Sequence, residues 1–134
     1  KANMKIVGAT EFAVVLYRDK LPKFRNVGLD GERHMVFDWF AWERDKRSQY
    51  PKVHPTQKPV SVLKRLISVF TDEGDVVIDP CAGSGSTLRA AYEMGRNAYG
   101  FEVDKGFYEA AKEKMLAPLF AKPEFEQIGM GDVV

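Results

Sequence analysis

The stretch Val76-Val77-Ile78-Asp79-Pro80-Cys81-Ala82-Gly83-Ser84-Gly85-Ser86-Thr87 restricts the fold more than any other part of the chain. Three β-branched apolar residues in a row read as a short buried strand, and Asp79-Pro80 ends it. Gly83 and Gly85 then allow a sharp turn whose backbone, lacking Cβ atoms, can approach a ligand closely. A helix is expected over residues 86–94, closed by Gly95, and Ala98-Tyr99-Gly100-Phe101 reads as the next strand. This order implies two parallel strands joined by a right-handed crossover. Open sheets of that kind bind ligands at the carboxyl ends of their strands, where the glycine turn lies.

The flanking pattern extends the α/β reading. Pro59 suits a helix start, since its missing N–H is not needed there, and Val62, Leu63, Leu66, Ile67 and Phe70 follow at helical spacing. Asp104 is placed to cap a further helix with Phe107, Ala110, Ala111 and Met115 on its apolar side, and Pro118 is expected to end it. Residues 11–18 are rich in β-branched and aromatic side chains and read as a buried strand; residues 35–42 read as a short second one. Residues 20–31 and 43–51 are polar enough for loops. The 134 residues suffice for one compact domain.

A helix N-terminus behind the glycine turn offers free N–H groups to a carboxylate or phosphate. Glu102 lies 19 positions after Gly83, at the end of the second strand, where an acidic side chain can accept both hydroxyls of an adenosine ribose. A phosphate-binding Walker loop needs a lysine after its last glycine, but Ser86-Thr87 follow Gly85 here. A dinucleotide turn prefers a third glycine, where this chain has Leu88. The pair of features therefore points to a nucleoside-containing cofactor of another kind.

Composition narrows the setting. Residues 1–58 carry 12 Lys/Arg against 7 Asp/Glu, and residues 59–134 carry 8 against 12, so a front of net +5 precedes a back of net −4. Such a division suits a protein that meets a polyanion with one part only, or an unevenly charged surface. No apolar run is long enough to span a bilayer, and a single cysteine, Cys81, excludes an internal disulfide framework. A cytoplasmic setting is expected. Cys81 reads as a small buried residue, and Trp39 and Trp42 as core. His34 and His54 lack the cysteine spacing of metal ligands, so no metal is expected.

His54-Pro55-Thr56-Gln57-Lys58-Pro59, followed by a helix and then by the glycine turn, resembles the β-group of DNA amino-methyltransferases, in which this order of motifs is distinctive. Gly100-Phe101-Glu102, with Tyr108 and Ala111 behind it, is also similar. The resemblance covers residues 54–116 closely and residues 11–18 loosely. It implies a Rossmann-like methyltransferase fold with an incomplete, mostly parallel sheet, and S-adenosyl-L-methionine as cofactor. Within a single domain, residues 1–18 would be a strand of the catalytic part, 19–53 a target-recognition region and 54–134 the cofactor-binding part. Lys58 would bond the cofactor carboxylate, with Thr56 and Pro59 shaping its loop. Asp79 would face the methionine ammonium, and backbone at Cys81, Ala82, Gly83 and Gly85 would wrap it. Ser86 and Thr87 would cap the following helix and add hydroxyl contacts, and Glu102 would hold the ribose. The family usually has phenylalanine after the Asp-Pro pair, where this chain has Cys81.

The resemblance further implies DNA as partner, with Arg33, Arg44, Lys46, Arg47 and Lys52 meeting phosphates. The family's catalytic motif, a polar residue before Pro-Pro and an aromatic, finds no match, because the chain holds no Pro-Pro pair. In the family's order that motif precedes residues 11–18. The expectation is a segment of an enzyme methylating the exocyclic amino group of adenine, ahead of cytosine, from a solitary, phage or restriction-linked methylase. This chain alone is not expected to be a competent catalyst. A catalytically inactive remnant that binds cofactor or DNA is the alternative. Homodimerisation and association with a segment carrying the catalytic motif both stay open.

Overall fold

A computed structural model of the chain describes residues 11–20, 24–26, 32–36 and 38–120. Helix α1 (Val60–Phe70) leads to strand β1 (Val76–Asp79), helix α2 (Ser86–Glu93) and strand β2 (Asn97–Gly100). A last helical stretch runs through α3 (Lys105–Ala110), a π-helical turn (Ala111–Leu116) and α4 (Ala117–Phe120). The strands pair in parallel from Val76 opposite Asn97 to Asp79 opposite Gly100, with α2 as the crossover. The β–α–β unit read from the sequence is present, and no described helix is long and apolar enough to cross a membrane.

Periodicity explains the packing. Val60 and Ile67 of α1 meet Ala90 and Ala91 of α2, where small side chains let the helices approach, and Met115 fills the space beside them. Val77 and Ala98, on the covered face of the sheet, close this core from below. The start of α1 receives a cap from far upstream. Pro59 supplies none, and Asp45 accepts the Val60 N–H at 2.5 Å and the Ser61 hydroxyl at 3.1 Å. A carboxylate there satisfies an orphan donor and complements the helix dipole.

A cluster of charged and polar side chains joins four parts of the chain. Glu93 accepts the Tyr50 hydroxyl at 2.7 Å and pairs with Lys64 of α1 and Arg89 of α2. Arg89 also donates to the Met115 carbonyl at 2.8 Å, within the π-helical turn. Burial by itself raises the Glu93 carboxyl, but hydrogen bonds from Lys64, Tyr50 and Arg89 outweigh it and hold the group down at about 2.

Several expectations fail. Residues 11–18 form no buried strand: Phe12, Val14 and Leu16 are more than three-quarters exposed. Residues 35–42 likewise form no strand in their described part, and the core placement of the tryptophans is wrong, Trp39 being 72% and Trp42 38% exposed. Strand-like composition becomes a strand only beside a hydrogen-bonding partner, and neither segment adds one to the β1–β2 pair. Pro118 does not end its helix. It is the second residue of α4, within the continuous helical stretch and directly after the π-helical turn, which shifts the backbone bonding around it. Cys81 is exposed, in the turn beyond β1. Ser86 is no N-cap, because Gly85 holds that position with no side-chain bond.

The Glu93 cluster predicts an acid-labile fold. A carboxyl held below its ordinary 4.5 contributes stability above that value, which is lost as pH falls toward about 2. Glu93→Gln should cost about 2 kcal/mol at pH 7. Urea unfolding between pH 2 and 7 should show the gap between variant and wild type closing below pH 4.5. A gap that stays constant across that range would assign the stability to packing.

A candidate cofactor cleft at the carboxyl end of the sheet

The first strand ends at Asp79, and the chain turns at once over the sheet rim. Asp79 Oδ1 accepts the Cys81 N–H at 3.0 Å, Ala82 N–H donates to the Phe101 carbonyl at 2.8 Å, and Gly85 N–H returns to the Ala82 carbonyl at 2.8 Å. Gly83 and Gly85 take φ of 51° and 73°, the left-handed region that L side chains avoid. Gly100, the last residue of β2, is needed for space instead. A Cβ there would stand 2.6 Å from Leu88 Cδ1 and 3.0 Å from Ala82 Cβ. Leu88, where a dinucleotide turn would place its third glycine, thus packs the helix onto the strand.

Glu102 ties the turn to the second strand. Its Oε2 accepts the Gly83 N–H at 2.8 Å and its Oε1 the Asp104 N–H at 2.9 Å. Asp104 in turn caps α3 by accepting the Phe107 N–H at 2.9 Å, as its spacing suggested. One carboxylate therefore sets the glycine turn and the entry to α3 together.

A second loop faces this turn. Gln57 closes it: its carboxamide accepts the Val53 N–H at 2.9 Å and donates to the Pro51 carbonyl at 3.1 Å. His54 Nδ1 lies 3.2 Å from the Thr56 backbone nitrogen and 3.1 Å from its hydroxyl. The imidazole packs edge-on to Phe107, with ring centres 4.2 Å apart. Lys58 reaches the Glu11 carboxylate at 2.9 Å, both side chains being half exposed.

Between loop and turn lies a cleft of ≈ 410 Å³, within the range of small-molecule sites. Thr56, Lys58, Asp79, Cys81, Ala82, Gly83, Ser86, Thr87 and Glu102 line it, so nine of the eleven residues picked out as cofactor contacts converge. Pro59 and Gly85 do not reach it. Pro59 is buried at the head of α1, and a Cβ on Gly85 would face Ala111 and Leu116. His54, Gln57 and Ser84 also line the cleft. Ser84, nearly fully buried, donates its hydroxyl to Ser86 Oγ at 3.1 Å.

A second groove of ≈ 360 Å³ adjoins the first and shares Thr56, Gln57 and Lys58 with it. Arg44, Arg47 and Lys52 line it beside Trp42 and Asp45. Lys46 and Arg33 are exposed but lie outside that lining.

The turn makes a testable demand on backbone angle. Gly85→Ala meets no steric barrier, the nearest atom being 3.4 Å away, but must hold φ near 73°. It should lose about 1–2 kcal/mol, the left-handed cost for an L residue, measured as a lower urea midpoint at unchanged slope. A variant as stable as wild type would show that the turn relaxes to another conformation.

Comparison with known proteins bears on the family of the chain. A family model described as DNA methylase, for N6 and N4 methyltransferases, matches residues 16–113. The type II methyltransferase M.HindIII of Haemophilus influenzae is 44% identical over 62 residues, covering 46% of this chain and 20% of that protein. The crystal structure of the M1.HpyAVI–SAM complex is 39% identical, covers 46% of this chain and 30% of the other, and superposes with a TM-score of 0.45. For the PvuII cytosine-N4-specific DNA methyltransferase the identity is 25%, the coverage 56% and 25%, and the TM-score 0.45. The chain thus spans between a fifth and a third of the length of these relatives. With a family model matching most of its residues, and the family's two motifs facing each other across one cleft, the chain belongs to the DNA methylase family of amino-methyltransferases.

Proposed function

We propose that this chain is the cofactor-holding part of an enzyme that transfers a methyl group from S-adenosyl-L-methionine to an exocyclic amino group in DNA, with adenine ahead of cytosine. The observation that carries this reading is the convergence of Lys58, Asp79 and Glu102 on one cleft around a glycine turn. The cofactor has a carboxylate, an ammonium and a ribose diol, and the three side chains match them in that order. Glu102 spends one acceptor site of each oxygen on a backbone N–H. A carboxylate oxygen accepts two hydrogen bonds, so one site per oxygen is left for the hydroxyls. The Lys58–Glu11 pair is half exposed, hence weak, and a ligand carboxylate can displace Glu11. Thr56, Ser86 and Thr87 add hydroxyls, and Cys81, Ala82 and Gly83 present backbone. Pro59 and Gly85 act by setting the starts of α1 and α2.

The cofactor supplies an activated methyl on sulfur; these residues hold and orient it. In the whole protein a target base would leave the duplex to reach that methyl. The groove bearing Arg44, Arg47 and Lys52 supports the DNA partner, because it continues into the cleft through the Thr56–Lys58 loop. Arg33 and Lys46 would add charge at its edge.

Calorimetric titration of the full chain with S-adenosylhomocysteine tests the cofactor reading. Saturable binding that weakens at least tenfold, about 1.4 kcal/mol, in Glu102→Ala is the expected result. Tighter binding of NAD than of S-adenosylhomocysteine would overturn it. For DNA, Arg44→Ala with Arg47→Ala should weaken binding evenly across sequences and lower the salt slope by about 2. An unchanged slope would remove the groove from the DNA path.

A further inference from the structure

Going beyond the cofactor reading, but resting on it, we propose that His54 is a positioning residue that holds the Lys58 loop in one protonation state only. The ring must be neutral with its proton on Nε2, and protonation releases the loop.

The argument starts from donor and acceptor. A backbone N–H has a proton to give and nothing to accept with. With Thr56 N–H directed at His54 Nδ1 at 3.2 Å, that ring nitrogen has to carry a lone pair. The neutral Nε2–H tautomer satisfies this, and the Thr56 hydroxyl at 3.1 Å is free to donate to the same atom or turn away. An imidazolium has N–H on both nitrogens. Its Nδ1–H would oppose the Thr56 N–H and turn to the Thr56 hydroxyl oxygen instead, so the backbone bond is lost.

The ring also holds the two walls of the cleft together. It packs on Phe107 of α3 at 4.2 Å, and its Cδ2 and Cγ lie 3.8 Å from where a Gly83 Cβ would stand. His54 thus touches the third helix and its own loop and faces the glycine turn, and the residues it positions, Thr56 and Lys58, line the cleft. Ring packing alone tolerates either protonation state; the bond to Thr56 does not.

Charged groups of both signs share the cleft with the ring. Asp79 from the end of β1 and Glu102 beyond β2 share the cleft lining with it, as does Lys58 on the same loop. Cys81 on the glycine turn is titratable, and α3 presents uncharged Phe107, with Asp104 engaged at the Phe107 N–H. A cationic ligand entering the cleft expels the ring proton, coupling binding to proton release.

Two variants separate latch from packing. His54→Asn keeps an acceptor near the Nδ1 position and cannot gain a proton; His54→Phe keeps the ring against Phe107 and loses the acceptor. S-adenosylhomocysteine is titrated into the full chain and both variants at pH 8 and pH 5.5, with amide spectra confirming folding. Wild type should lose about tenfold in affinity between the two, His54→Asn should change less than twofold, and His54→Phe should bind weakly at both. Imidazole 15N shifts should place the proton on Nε2 at pH 8, and the Thr56 amide should move as the ring titrates. Equal pH dependence in wild type and His54→Asn, or a proton on Nδ1 at pH 8, overturns the proposal. If no form binds S-adenosylhomocysteine while the Thr56 amide still follows His54, the latch stands and the cofactor reading falls.

Discussion

Glu93 gathers three donors from three places in the chain onto one carboxylate. Tyr50 comes from the loop, Lys64 from α1, and Arg89 from the preceding turn of α2. A carboxylate withdrawn from water would cost several kcal/mol if left alone, so each donor holds its own element in place by being needed there. Arg89 passes the constraint on to the π-helical turn through the Met115 carbonyl. Tyr50, nearly fully buried, passes it to the chain that enters the Gln57-closed loop. The cleft is thereby fixed from behind, by a charge network that does not touch it.

The front of the cleft is fixed by a second carboxylate with a different task. Glu102 has no cationic partner among the described residues and spends its oxygens on backbone N–H groups of Gly83 and Asp104. It shapes the turn before it meets any ligand. Glu102→Ala would therefore lose both a ligand contact and the geometry of the turn, and part of any affinity loss belongs to the second effect. The two carboxylates divide the work by their partners: one is surrounded by side-chain donors and stabilises the fold, and the other sits at the rim with acceptor capacity left.

Much of this was legible in the sequence because it is local. The α1, β1, α2 and β2 elements follow from apolar spacing and glycine positions, and the Asp104 cap from its place before Phe107. Eight cleft residues follow from two short motifs, and Glu102 from its spacing after Gly83. What was missed is non-local. Asp45 caps a helix that starts 15 residues later, and nothing in its polar surroundings marks it. Glu93 reads as one more solvated charge on a helix until Tyr50, 43 residues away, is folded against it. The apolar runs at 11–18 and 35–42 show the converse: strand-like composition yields no strand where no partner strand lies among the described residues. Pro118 misled because its effect depends on helix register, which the π-helical turn had changed.

The sheet itself carries a requirement that the cleft does not. Val76 and Ile78 on β1, and Tyr99 on β2, are more than half exposed on one face, and Phe101 extends the strip. Parallel strands are ordinarily covered on both faces, and the apolar character of both faces of β1 fits that rule. Here α1 and α2 cover one face only. Yet the polar groups that the sheet itself gives the cleft lie on the covered side or at the rim: Asp79 alternates with Val77 toward the helices, and Glu102 and the glycine turn bond backbone beyond the strand ends. The open face therefore bears on solubility and association, while the geometry of the cleft is set by elements already packed against each other.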